Sequence, residues 1–296
     1  MSKKHFEVIF CVFGCATIQK YKEEISKICS TWGKSAKTED YKILFFLGEE
    51  LSSLIGDDYI YLQGVNNDYF SASYKQNLGL KYIFDNFTFN YVYVCGTDTF
   101  VNIKFLKQYI TKFDSNEQLC IGGHGDYRTV QEKQIYYHSG GPGFLITYSA
   151  IRKVQYLLND MVELWVMIVQ KQNLYTACDL ALCFFLNYTG CKFVIDDEVF
   201  FHCNHKGYPC HMNKETKKDI VAYHNMNLSD FDEYFDFIQE NEIHHSDFIQ
   251  EDEIHHSDFI QEDEIHHSDF IQEDENHHSD SIQEDEMSGC LDIYFN

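Results

Sequence analysis

The run Tyr91-Val92-Tyr93-Val94-Cys95-Gly96-Thr97-Asp98-Thr99-Phe100-Val101 constrains the fold most. A short apolar, β-prone stretch stops at a small Gly-Thr pair and then presents one carboxylate. Ile103, Leu106 and Ile110 follow at helical spacing, so the segment predicts a buried strand, a turn and a helix, with Asp98 beyond the strand's carboxyl end. Ligands of open α/β sheets sit outside that edge, where a lone acid can hold a metal-bound phosphate. A solvated turn aspartate is the other reading of the same residue.

Strand and helix signals alternate before and after this run. Phe6–Phe13 reads as a strand, and Ile18–Trp32 as a helix with Tyr21, Ile25, Ile28 and Trp32 in register. Tyr41–Leu47 and Tyr59–Leu62 read as strands. Phe70, Tyr74, Leu78 and Tyr82 then form one apolar helical stripe, expected to lie against a sheet. This order predicts an α/β domain with a mixed, mostly parallel sheet flanked by helices. Residues 118–147 read as less regular, ending in the tight loop Ser139-Gly140-Gly141-Pro142-Gly143. Helical stretches follow over 147–172, broken near Asn159, and over 175–188. Strands are expected at Lys192–Ile195 and Asp219–Ala222, and a last helix capped by Ser229.

The formal charge of −24 describes one end of the chain. Residues 1–227 hold all 23 Lys and Arg and 24 of the 47 acids, a net charge of −1, whereas 228–296 hold 23 acids and no Lys or Arg. A near-neutral body gives no reason to expect a nucleic-acid surface, which needs clustered cations. From Phe235 the sequence repeats every eleven residues: SDFIQEDEIHH begins at Ser246 and Ser257, with variants from Phe235, Ser268 and Ser279. Eleven residues make three helical turns. Yet Phe248, Ile249 and Ile254 would point roughly 0°, 100° and 240° around a helix, leaving no apolar face. The expected organisation is a folded domain over 1–240 and an acidic, His-rich, disordered tail over 241–296. The pairs His244/His245, His255/His256, His266/His267 and His277/His278 could bind divalent metal; a solvated, pH-responsive tail is the plainer reading.

Eleven cysteines without a CxxC pair, several of them in apolar stretches, fit a reducing compartment. Lys3 and Lys4 precede only a strand's length of apolar residues, and no run reaches the ~18 needed to span a bilayer. A cytoplasmic protein with no membrane span is expected.

Several segments share a family's motif order. Phe6–Thr17 with Tyr21-Lys22 and Ser30-Thr31-Trp32, then Asn67-Asp68-Tyr69 with Lys75, then Val94–Val101, Ser139–Thr147, Cys178-Asp179-Leu180 and Val221-Ala222-Tyr223-His224 together resemble the Fringe-like and β1,3-galactosyltransferase superfamily. The likeness covers roughly 5–240. It implies a GT-A, Rossmann-like fold and an inverting, metal-dependent transfer of a sugar from a nucleotide sugar, a UDP-sugar above all, to a hydroxyl of a glycan or glycosylated polypeptide. Where the family carries Asp-Asp-Asp, this chain has Gly96-Thr97-Asp98 and keeps only the last acid.

The resemblance implies a role for each residue. Asp98 is the metal ligand, with His224 as its partner and His202 as the alternative; imidazole favours Mn²⁺ over Mg²⁺ or Ca²⁺. Asp179 is the general base that takes the acceptor's proton, or, in the plain reading, a helix cap. Gly140, Gly141 and Gly143 let the backbone approach donor or acceptor closely. Thr17, Tyr21 and Lys75 are donor contacts, and Arg128 is either a phosphate contact or an exposed loop arginine. Two other functions fit the same sequence: a catalytically silent relative that binds a sugar nucleotide or glycan, and a metal-binding or interaction protein acting through the repeats.

Overall fold

The computed structural model describes residues 3–48, 54, 56–68, 70–169, 174, 177–210 and 215–240. Tyr69, the helical expectations at 170–172 and 175–176, and the repeats and paired histidines of 241–296 lie outside them. The first half comprises β1 (Lys4–Phe13), α1 (Gln19–Ser30), α2 (Trp32–Ser35), β2 (Tyr41–Leu47), β3 (Tyr59–Tyr61), α3 (Ser71–Asn86), β4 (Phe87–Cys95), β5 (Phe100–Val101) and α4 (Ile103–Tyr109). There follow β6 (Leu119–Gly122), β7 (Gly125–Val130), β8 (Lys133–His138), β9 (Phe144–Thr147), α5 (Tyr148–Val154), α6 (Met161–Val169), α7 (Cys178–Tyr188), β10 (Lys192–Ile195), β11 (Phe200–Phe201) and β12 (Ala222–Tyr223). A last helix, α8, runs over 228–240.

Seven strands form the central sheet in the order β10-β6-β9-β4-β1-β2-β3. Pairing is parallel except for β9, which runs antiparallel to both β4 and β6. The mixed, mostly parallel α/β architecture read from the sequence is therefore the one observed. Val8, Ile9, Phe10, Cys11 and Val12 of β1 are all buried, a continuous apolar run that only a strand covered on both faces can carry. Each such aliphatic or aromatic side chain contributes ~1.5–3 kcal/mol. The chain leaves β1 through α1 to β2 on one side, then returns through α3 to β4 on the other. The carboxyl ends of β1 and β4 thus flank the point where strand order reverses, the place where open sheets bind ligands.

Four local expectations are corrected. The stripe Phe70, Tyr74, Leu78 and Tyr82 does not form the buried face of α3; all four are half-exposed, while Ser73, Gln76, Gly79, Leu80 and Ile83 turn inward. Gly79 decides the matter, because a Cβ there would stand 2.8 Å from Phe46 Cδ2 and 3.0 Å from Cys11 Sγ. The helix packs closest to the sheet through its smallest residue. Residues 118–147 are regular: β6 and β9 join the main sheet, and β7 and β8 form an antiparallel hairpin. Helix α8 is capped by Asn227 rather than Ser229. Its Oδ1 accepts from the N–H of Ser229 and of Asp230 at 3.1 Å, and Asp230 Oδ2 accepts in return from the Asn227 N–H. The strand expected over Asp219–Ala222 is confined to Ala222–Tyr223, because its partners β5 and β11 are only two residues long.

No helix among the described residues is long and apolar enough to cross a membrane.

Candidate active site

Asp98 reaches its position because β4 ends at Cys95 and the chain turns through Gly96-Thr97-Asp98 into β5. β5 pairs antiparallel with β12, Phe100 opposite Tyr223, so the residues just beyond β12 come to lie beside the Asp98 turn. The Met226 N–H donates to the Asp98 carbonyl at 3.0 Å and locks the two segments together. His224 Nε2 then stands 3.4 Å from Asp98 Oδ2. Asn225, held at φ +56°, donates from Nδ2 to the His202 carbonyl and faces His224 Nδ1 at 2.9 Å. Burial opposes ionisation of Asp98, but the hydrogen bond and charge of His224 outweigh it and hold the carboxyl below its ordinary range. Of the two histidines expected at the metal, the structure brings His224 to Asp98; His202 turns its Nε2 to the His124 carbonyl at 2.8 Å.

Asp179 comes from the opposite wall. α7 begins at Cys178, so Asp179 lies inside its first turn and is not the cap. Oδ1 accepts from the Leu180 N–H and Oδ2 from the Gly140 N–H, each at 2.8 Å. Gln76 Nε2 donates to the Cys178 carbonyl at 3.0 Å and seats this helix end against α3. The Ser139–Gly143 loop runs between the two carboxylates, and its glycines have reasons that the sequence did not disclose. A Cβ on Gly140 would meet Asp179 Cβ at 3.1 Å, and one on Gly141 would meet His224 Nδ1 at 2.5 Å. Gly143, at φ +78°, is pressed against Tyr93 and the Val94 carbonyl and does not line the cavity. The close approach these residues permit is to the protein's own Asp179, His224 and β4.

Asp98 and Asp179 face one cavity of about 510 Å³, also lined by Tyr21, Lys75, Gly140, Gly141 and His224. That volume lies within the ~300–1,000 Å³ usual for ligand sites. Lys75, only 3% exposed, donates to Asn67 Oδ1 at 3.0 Å; burial pulls its ammonium below the usual lysine range, against Coulombic support from Cys15 and Asp68. Asp68 itself accepts from the N–H and hydroxyl of Ser71 and organises the start of α3. Thr17 is exposed on the loop after β1, its hydroxyl 3.1 Å from Cys15 Sγ, and stays outside the cavity lining. Arg128 is exposed on β7, paired with Asp126 and placed over the Tyr137 ring.

Sequence reasoning quoted Asn67 within a motif without giving it a role, and it missed Lys20 and Gln76 in the lining and Asn225 behind His224. For Gln76 the signal was present: it is a polar residue on the α3 face opposite the aromatic stripe. His205, Asp230 and Glu233 form a second cluster of potential ligands. There the Lys206 ammonium already stands 3.0 Å from Asp230 Oδ1 and 2.6 Å from Glu233 Oε2, so the cluster reads as an ion-pair network tying α8 to the 202–208 segment.

No protein-family model and no curated protein matches this sequence. Among solved structures, the chain is similar to a glycosyltransferase involved in the glycosylation of the major capsid of PBCV-1, with a TM-score of 0.48 and 13% identity over 78% of this chain and 99% of that one. It is similar also to apo-form glycosyltransferase GlyE of Streptococcus pneumoniae TIGR4, with a TM-score of 0.46 and 10% identity over 81% of this chain and 64% of that one. A fainter likeness, with a TM-score of 0.37 and 6% identity over 79% of this chain and 99% of that one, is to 2-C-methyl-D-erythritol 4-phosphate cytidylyltransferase of Thermus thermophilus.

Proposed function

We propose that this chain is an inverting glycosyltransferase of GT-A type that moves a sugar from a nucleotide sugar, a UDP-sugar first among them, to a hydroxyl of a glycan or glycosylated polypeptide. The observation that carries the reading is the convergence of Asp98 with His224 and of Asp179 on one cavity at the strand-order reversal. The donor's diphosphate belongs at the Asp98 end, beyond the carboxyl ends of β1 and β4. Asp98 and His224 offer a carboxylate oxygen and an imidazole nitrogen side by side, a donor set that fits Mn²⁺ or a similar divalent ion. When bound, such an ion supplies Lewis-acid neutralisation of the departing diphosphate. Lys75 and Lys20 add cationic lining to the cavity.

Asp179 is the base of this reading. A carboxylate has about four lone-pair directions, and its two backbone donors leave room for an acceptor hydroxyl. The acceptor oxygen attacks the anomeric carbon from the face opposite the diphosphate, its proton passes to Asp179, and the bond from the anomeric carbon to the diphosphate oxygen breaks. Configuration at that carbon inverts, by the logic of a single-displacement glycoside reaction.

A silent sugar-nucleotide binder is the second reading, favoured by Gly96 and Thr97 where acids would strengthen cation binding. Titration of UDP with and without Mn²⁺, with a screen of nucleotide sugars read by release of nucleoside diphosphate, separates the two. Metal-dependent binding with turnover on at least one donor supports transfer. Binding without release across varied donors and acceptors supports the silent form, and absence of UDP binding sinks both.

A further inference from the structure

Helix α1 buries Ile25 and Ile28, and on the same flank it buries an acid: Glu24, 2% exposed. A carboxylate is expensive to take out of water unless something specific holds it. Its Oε1 lies 3.5 Å from the mostly exposed Lys20 ammonium, a one-turn pair of little strength. Its Oε2 accepts a hydrogen bond from the Thr97 hydroxyl. Thr97 is the residue before Asp98, so the acid on α1 grips the turn that carries the proposed cation ligand. Gly14, at the end of β1, is what lets Thr97 lie this way: a Cβ there would stand 2.8 Å from Thr97 Cγ2 and push the side chain off its course. Thr99, on the far side of Asp98, is fixed in turn by donating its hydroxyl to the Gly141 carbonyl at 2.9 Å.

We infer that Glu24 is a positioning residue and second anionic group of the cation site, acting through Thr97 to hold the Asp98 turn and place a buried negative charge behind it. The inference deepens the metal-assisted reading above and rests on it. One carboxylate and one neutral imidazole leave a divalent ion with an uncompensated positive charge, and a buried carboxylate nearby is felt strongly because little solvent screens it. Hydrogen-bond partners of metal ligands commonly tune affinity by ~10–100-fold; Glu24 acts one residue further back, through Thr97, so the lower end of that range applies. Burial and the Asp98 charge both work against ionisation of Glu24 while the Thr97 hydrogen bond works for it, leaving its carboxyl above the ordinary range. With no cation present the Asp98 charge thus works against that of Glu24.

That conflict gives the test its sign. Mn²⁺ binding to the full-length chain is measured by electron paramagnetic resonance, and thermal melting is followed in EDTA. Glu24→Gln keeps an oxygen for Thr97 and removes only charge; it is expected to weaken Mn²⁺ about tenfold while melting in EDTA no lower than wild type. Thr97→Val keeps the charge and breaks the link, and is expected to weaken Mn²⁺ by a similar factor. Unchanged Mn²⁺ affinity in Glu24→Gln overturns the inference, and so does a fall in melting temperature that accompanies the lost affinity, because a residue with only a structural role moves both together. If Glu24→Gln does not fold, Thr97→Val decides: normal Mn²⁺ affinity there overturns the inference. Wild type is read first, so a chain that binds no Mn²⁺ condemns the metal-assisted reading itself rather than this residue alone.

Discussion

The two carboxylates of the cavity are held in opposite ways. Asp98, with about 31% of its side chain exposed, is partnered by an ionisable imidazole and sits on a short turn pinned by side-chain hydrogen bonds. Asp179 is partnered by two backbone N–H groups, one from its own helix and one from the glycine loop. An imidazole can exchange its carboxylate partner for a cation, whereas backbone donors are fixed by the fold and ignore metal. On the proposed reading, one end of the cavity accepts an ion and the other keeps a base in one place. The first turn of α7 also favours a negative charge at Asp179 through the helix dipole.

The largest effects should separate these ends most cleanly. Asp179→Ala is expected to lower turnover by about 10³-fold, within the usual worth of a positioned base, with UDP and Mn²⁺ affinity little changed. Equal loss of nucleotide binding would break the comparison by making Asp179 a donor-site residue. Asp98→Asn is expected to lower transfer by about 10²-fold and to weaken Mn²⁺ and metal-dependent UDP binding together. If its turnover falls while metal affinity stays normal, the ion-accepting role belongs elsewhere. The two measurements are titration calorimetry and release of nucleoside diphosphate on the same preparations.

A smaller effect probes the hinge between the ends. Gly141→Ala places a Cβ 2.5 Å from His224 Nδ1, so the imidazole must shift away from Asp98 or the loop away from both. Displacements near 1 Å at a reacting site can cost up to ~10²-fold; because His224 is part-exposed and can yield, about tenfold is expected here. The loss should appear as weaker Mn²⁺ binding more than as slower turnover at saturating metal. The reverse pattern would mean that the substitution acts through Gly140 on Asp179, and the ends would then be one mechanical unit.

What the sequence disclosed of this cavity divides along the same line. The fold was legible because buried parallel strands such as Val8–Val12 and Tyr91–Cys95 are long apolar runs ended by small residues, a pattern with few other solutions. Asp98, Asp179 and His224 were legible because each closes or opens such a run. Glu24 was not, since an acid one turn after Lys20 on a helix looks like an exposed i,i+4 pair until Thr97 arrives from 73 residues away. The α3 stripe misled for a related reason. Half-exposed aromatics such as Tyr74, whose hydroxyl meets Glu163, copy the period of a core face, whereas the face that packs on the sheet is chosen by the smallness of Gly79. The glycines of 139–143 were noticed, but which neighbour each one spares is a matter of tertiary distance.

The smallest expected effect concerns where the chain can be cut without disturbing either end. The first copy of the repeat begins inside α8, where Phe237 and Ile238 pack on the core beside Phe231 and Tyr234. Tyr234 lies 5.0 Å from Phe100 and 4.9 Å from Tyr223, ring to ring, so α8 braces the β5 and β12 pair that brings His224 to Asp98. Removal of 241–296 leaves these contacts in place, and transfer measured as kcat/KM should stay within about twofold of the full chain. A cut after Met226 takes Phe231 and Tyr234 away as well and should unfold the His224 end, since losing one buried aromatic costs ~3–5 kcal/mol. If the shorter deletion instead abolishes transfer while melting and UDP binding persist, the acidic repeats take part in acceptor handling. The Asp179 end would then no longer be complete within the folded body.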